Sequence, residues 1–305
     1  MFSDLFNYND REVFFDVNAD HVVSTTFDIL SDDKKMLLRT DRKDNSSSYL
    51  SIVNSKYRVV LNEEILRPLQ EQMVEYFDQS VLEEIKIKDT VTKNGAICYS
   101  EYIFPSLKNT IETNTGHKTD IGLRYIMKNT FDGSGSIVLY GGAIDFFCTN
   151  GLIRGEYDVT RRRHTKNFSV DGFKSAFENS MERFTELVNM YQEYADIKIK
   201  SVKAVEDVFN ALARTDPNAE KKREGGLSDK LFSQYAAEST VRGHNLFSVV
   251  STLTHYASHN DELFPLTKAG DNGTLFKRQE RVTKWLDSKA WYDFVNDNRR
   301  IMVTV

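Results

Sequence analysis

Arg161, Arg162, Arg163 and Lys166 place four positive charges within the ten residues Val159 to Phe168, and no acidic residue interrupts them. A guanidinium presents a planar fork that matches phosphate oxygens, and an aromatic ending such a run offers a base a stacking face. If Thr160 to Lys166 is a strand, Arg161, Arg163 and Thr165 share one face, while Arg162, His164 and Lys166 share the other. One face would then line a groove, and the other would be solvated or paired with acids such as Glu156 and Asp158. The competing reading is an edge strand guarded against aggregation by its charge. Arg124 and Lys128 in an upstream strand would extend the phosphate track, with Tyr125, Tyr157 and Phe168 as stacking faces. Each stacked base contributes about 1–3 kcal/mol.

The histidines form a second group. His255 and His259 lie four residues apart, so a helix puts both on one face, with His244 upstream and Asp261 just beyond. That spacing can hold zinc, yet Tyr256 stands where the metalloprotease motif requires Glu. A histidine bonding the last carbonyls of a helix is the competing reading. Cys148 with His164 can be drawn as a nucleophile and base, but no orienting motif accompanies them. Gly133-Ser134-Gly135 and Gly141-Gly142 match neither a P-loop nor a dinucleotide fingerprint. No catalytic residue, metal or cofactor is therefore assigned.

The elements that must position these residues follow from periodicity. Met36-Leu37-Leu38 and Tyr49-Leu50-Ser51-Ile52-Val53 flank the turn cluster Asp44 to Ser48 and predict a hairpin. Asp32 to Lys35 reads as a turn before the first of these strands. Asn62 before Glu63-Glu64 reads as an N-cap, opening an amphipathic helix over about 62–78. Strands Ile85–Lys88 and Ala96–Phe104 flank Asn94-Gly95, a strong hairpin signal, and Ile121–Thr130 and Ser136–Phe147 form a second pair. On the third long strand, Tyr125 and Met127 face one side and Arg124 and Lys128 the other. Helical spacing begins after Ser169 and recurs near 201–213, 227–238, 241–258, 274–287 and 289–298, with a charged, glycine-ended loop over 219–226. The expected fold is α+β: an N-terminal twisted, mostly antiparallel β-sheet with one helix, followed by a C-terminal helical region packing on it. The halves, 1–168 and 169–305, are expected to form one integrated domain.

Bulk composition excludes several classes. The chain has 305 residues, 40% of them hydrophobic, which supports a real core rather than global disorder. Its net charge of −5 excludes a protein that coats duplex DNA with its whole surface, so a nucleic-acid site must be a local patch. The 20 Phe and 14 Tyr mostly fill a core, with the remainder available for stacking or a partner. Two cysteines, Cys98 and Cys148, build neither a disulfide framework nor a four-cysteine zinc site and read as reduced thiols of a cytoplasm. Met1 to Leu5 lack the features of a secretory signal, and no segment is long and apolar enough to span a membrane.

Cys148-Thr149-Asn150-Gly151-Leu152, Arg163-His164-Thr165, and the later Thr254, Tyr256 and His259 together resemble a family of phages and plasmids, domain of unknown function 932. Ser251 stands where that family usually has Asn. The resemblance spans roughly residues 50 to 260. It implies a mobile-element origin and a protein of the host-cell cytoplasm, and it implies no settled biochemistry. By analogy of fold, a sheet backed by helices with a basic strand looks like single-stranded DNA-binding or annealing proteins of replication and recombination. These act as homo-oligomers, need no cofactor and do not engage membranes. A protein-interaction module, such as a host-enzyme inhibitor or virion component, is the alternative. A metal-dependent enzyme using His244, His255 and His259 is the second.

Overall fold

Backbone pairing builds the N-terminal strands of the computed structural model, which describes residues 6, 11–24, 29–145, 151–153, 159–215, 226–259, 261–265 and 272–299. Three strands, β1 (Asp16–Ser24), β2 (Ile29–Thr40) and β3 (Ser47–Asn54), form an antiparallel sheet in sequential order. The expected hairpin is β2–β3, with Met36 opposite Ile52. Two expectations are corrected here. β1 carries little hydrophobic pattern and was not anticipated. The Asp32–Lys35 turn is instead the middle of β2, because ladder pairs such as Lys35 with both His21 and Val53 hold the backbone extended while Lys34 stays exposed.

Helix α1 (Asn62–Tyr76) follows, then the short α2 (Gln79–Glu83). Asn62 is not the N-cap. Leu61 is, and the Glu64 carboxylate accepts its N–H at 2.9 Å. Asn62 is buried, donating to the Val13 carbonyl at 2.7 Å and accepting from Asn129 at 2.8 Å. A buried carbonyl or amide left without a partner costs about 1–3 kcal/mol, and Asn62 prevents that loss.

The second sheet runs β4 (Lys86–Thr92), β5 (Ile97–Glu112), β6 (Lys118–Thr130), β7 (Ile137–Asp145) and β8 (Gly151–Ile153). β9 (Val159–Arg162) pairs antiparallel with the first half of β7, and β8 with the second half. The Asn94-Gly95 hairpin joins β4 and β5. Helices then complete the chain: α3 (Asp171–Asp196), α4 (Val202–Arg214), α5 (Leu227–Arg242), α6 (Leu246–Ser258), α7 (Asn272–Leu286) and α8 (Lys289–Arg299). The fold is α+β, antiparallel sheets first and helices after, as the periodicity predicts. The loop over 219–225 lies outside the described residues.

Contacts divide the chain into two compact units that interleave along the sequence. One comprises Met1–Leu107, Arg124–Gly141 and Asp158–Ser180; the other comprises Lys108–Leu123, Gly142–Tyr157 and Met181–Val305. In the first, Phe77, Phe104, Tyr125 and Phe177 form an aromatic cluster, with ring centroids 5.1–5.9 Å apart. In the second, α6 buries eleven of its thirteen residues, so it is a central helix. Its hydroxyls are satisfied locally: Thr252 donates to the Ser248 carbonyl and Thr254 to that of Ser251. Among the described residues, no helix is long and apolar enough to cross a membrane.

Candidate nucleic-acid interface

β9 lies at the edge of the six-stranded sheet, with Arg161 opposite Val138 and Arg162 opposite Ile137. The strand stops at Arg162, so the expected run through Lys166 is corrected. The backbone bends because Thr165 N–H donates to the Arg163 carbonyl at 2.9 Å and Phe168 N–H to that of Thr165 at 3.0 Å. His164 anchors the bend. Its carbonyl accepts Arg58 N–H at 3.1 Å, and its ring stacks on Tyr57 at 4.6 Å. Nδ1 lies 3.2 Å from the Arg58 carbonyl, which can only accept, so Nδ1 carries the proton. Nε2 is buried without a partner among the described residues. Burial pushes the His164 pKa down to about 4, so the ring is neutral near pH 7.

This anchor turns the cations outward. Arg161, Arg162, Arg163 and Lys166 are all exposed. Among the described residues none of the four pairs with a carboxylate. Arg162 lies 6.0 Å from the Phe173 ring and donates to the Arg161 carbonyl. A Cβ at Gly172 would run into its guanidinium, so glycine there makes room for the side chain. Among the described residues, Arg161, Arg163 and Lys166 make no side-chain contact of this kind. Other arginines of the same unit behave differently: Arg11 holds Asp89, Arg39 holds Asp41, Arg42 holds Asp16 and Glu63, and Arg58 holds Glu64.

The remaining residues of the expected interface divide. Phe168 is half-buried, with the Arg58 guanidinium 5.5 Å from its ring and Phe173 at 6.2 Å. Lys128 is half-buried, 5.9 Å from the Tyr99 ring. Arg124 is corrected: it is buried and its Nε binds Glu101, which removes it from any phosphate track. Tyr125 is corrected too. Its ring is fully buried between Phe104 and Phe177, and its hydroxyl donates to the Phe177 carbonyl at 3.3 Å, so no base can reach it. Both faces of β6 are covered, so alternation does not expose either set. Tyr157 lies outside the described residues, as do Cys148, Glu156 and Asp158. The sequence reading missed Arg58, whose backbone is tied to His164 and whose guanidinium lies 5.5 Å from the Phe168 ring. It stands about a hundred residues from the basic run, and no local signal in the sequence points to it.

The histidine group holds helix α6 in place. His255 Nε2 lies 2.6 Å from Asp261, His259 stacks on His255 at 4.2 Å, and His259 Nδ1 reaches the His255 carbonyl at 3.3 Å. His244 lies 3.2 Å from the Tyr235 hydroxyl. No group of three metal-ligating side chains occurs among the described residues. Arg278 donates to the carbonyls of His259 and Phe264, and Arg281 to the Tyr256 hydroxyl, which closes the helix end. Cys98 is buried and burial pushes its thiol up to about 12, so it is an inert core residue.

A buried ionic network lies in the second unit. Arg242, fully buried, meets Asp145 and Glu238 at 2.9 Å each, and Thr119 donates to Asp145 at 2.5 Å. Beside it, Tyr191, Ser251 and Thr254 line a cavity of about 20 Å³, room for one water and no substrate.

An α+β protein with a cationic edge strand, anchored from one side by a neutral histidine, is the class this geometry defines. The chain belongs to the family described as Domain of unknown function (DUF932), which matches residues 49–290. No curated protein and no solved structure matches the chain.

Proposed function

We propose that the protein binds single-stranded nucleic acid, DNA in the first instance, and serves as a single-strand-binding or annealing protein in replication or recombination. The observation that carries this reading is the exposure of Arg161, Arg163 and Lys166 without carboxylate partners among the described residues, in a chain of net charge −5. Exposed unpaired guanidinium groups attract phosphate and release its counterions. Phe168, half-open beside Arg58, supplies a stacking edge. On this reading the protein works in the cytoplasm of a host cell, needs no cofactor and assembles with further copies of itself along the strand.

Fluorescence anisotropy of a labelled oligonucleotide, titrated across salt concentrations, tests the reading. The wild-type protein is expected to bind single strands with an affinity that falls steeply with salt. Arg161→Glu/Arg163→Glu is expected to weaken binding at least about tenfold and to flatten the salt slope by about 1 to 2. Absence of binding at low salt, or a slope unchanged in the variant, overturns it. A protein that fails this test and copurifies stoichiometrically with a host protein would be an interaction module instead.

A further inference from the structure

The outer strand of a sheet presents unpaired backbone groups to any chain it meets, and proteins guard such strands with charge, proline or brevity. Most outer strands of the two sheets are guarded in this way. β1 carries Asp16 and Asp20, β4 carries Lys86, Lys88 and Asp89, and β9 carries Arg161 and Arg162. β8 is three residues long. β3 is different. It is an outer strand of the three-stranded sheet, eight residues long, and Ser-Ser-Tyr-Leu-Ser-Ile-Val-Asn contains no charge, proline or glycine.

This edge is open as well as unguarded. The β3 ladder runs to β2, and among the described residues no other backbone hydrogen bond reaches Ser48 to Val53. The two faces of the strand differ. Leu38 pairs with Tyr49 and Leu37 with Ser51, so Leu50 is an extra residue in the ladder. Leu50, Ser51 and Val53 are buried, and the Ser51 hydroxyl donates to the Phe131 carbonyl. Tyr49 and Ile52 stand outward at 54% and 49% exposure. In an unbroken strand two residues three apart point to opposite faces, and the extra residue brings these two to the same one.

We propose that β3 pairs antiparallel with β3 of a second copy of the chain, about a two-fold axis between Leu50 and Ser51. In that register Tyr49 lies opposite the partner's Ile52, and symmetry makes the contact twice. An aromatic beside a β-branched residue is a favourable cross-strand pair. Because both strands carry the extra residue at the same level, outward residues meet outward residues along the whole length. The ends are complementary too. Asp44 is the nearest charged residue before the strand and Lys56 the nearest after it; both are exposed, and neither forms an ion pair among the described residues. An antiparallel copy brings Asp44 of each chain towards Lys56 of the other. One pair of strands covers less surface than a standard interface of about 1,600 Å², so the dimer is reversible. The pairing gives the self-association proposed above a definite interface, yet it rests on β3 and not on nucleic-acid binding.

Sedimentation velocity of the full chain without nucleic acid, from about 1 to 100 µM, tests the pairing. The wild type is expected to pass from monomer to dimer over that range. Tyr49→Lys/Ile52→Lys sets like charges opposite each other twice and is expected to weaken dimerisation at least about tenfold. Tyr49→Glu/Ile52→Lys is equally polar but sets Glu opposite Lys, and is expected to dimerise at least about tenfold more tightly than the double-lysine variant. Circular dichroism checks that both variants fold. In the wild type, amide exchange over Ser48–Val53 is expected to slow as concentration rises, a readout that needs no variant. Arg161→Glu/Arg163→Glu is expected to leave the dimer unchanged, which separates this interface from β9. A wild type that stays monomeric throughout overturns the proposal and leaves the edge to a strand of another protein. A dimer of undiminished affinity in the double-lysine variant, equal weakening in both variants, or a dimer with unaltered exchange in β3 overturns it as well.

Discussion

His164 shows how one residue can be misread from its neighbours. It sits among cations in the sequence and would pass for a fifth phosphate contact, yet it is buried and neutral against Tyr57. Its folded pKa is depressed below the ordinary histidine value, to about 4. Between those two values the unfolded chain binds a proton that the folded chain refuses. Stability is therefore full above about pH 6.5, declines as pH falls, and levels off near pH 4. The total loss from this group is roughly 3 kcal/mol. Urea denaturation at pH 7 and pH 4.5 is expected to show a shallower acid decline in His164→Gln than in the wild type. Parallel pH profiles for the two proteins would remove the buried-histidine account.

At the scale of elements, the β4–β5 turn and β9 carry opposite lessons. The Asn94-Gly95 pair announces its hairpin because few residues tolerate positive φ, so turn chemistry is local and readable. Gly95→Ala is expected to destabilise the protein by about 1–3 kcal/mol, through strained backbone and the approach to Phe15. A thermal melt no lower than the wild type's would contradict that. β9 is four residues long and has no hydrophobic alternation to mark its end. It stops where His164 docks on a segment a hundred residues earlier, a contact that no window of the sequence contains. The same reason hides β1, whose pairing with β2 rather than its own pattern makes it a strand.

For the whole molecule, the decisive quantity is the contrast between global and local charge. A net charge of −5 opposes broad contact with nucleic acid, while cations on one edge that no carboxylate pairs among the described residues favour a narrow one, so the proposed function predicts weak duplex binding beside stronger single-strand binding. Most other arginines serve structure. Arg242 is the extreme case: it is fully buried and neutralises Asp145 and Glu238. Arg242→Met strands two buried carboxylates and is expected to cost about 3–5 kcal/mol, with Asp145→Asn in the same chain recovering part of it. Chemical denaturation of the single and double variants measures this. A single variant as stable as wild type would show that the pair contributes nothing net.

The sequence by itself determined the α+β order, the hairpin at Asn94-Gly95, the run of helices after Ser169 and the acid-free run of cations, because periodicity, turn preference and charge are properties of neighbouring residues. Tertiary structure decided which polar groups face water. Alternation puts Arg124 and Tyr125 on opposite faces of β6, but both faces are covered, so one arginine ends in an ion pair and the tyrosine in an aromatic cluster. It also decided that Arg161 and Arg163 stay open, while Arg42, in the β2–β3 turn, meets Asp16 of β1 and Glu63 of α1. Burial and convergence depend on what packs from elsewhere in the chain, and that information is distributed over the fold rather than written at any one position.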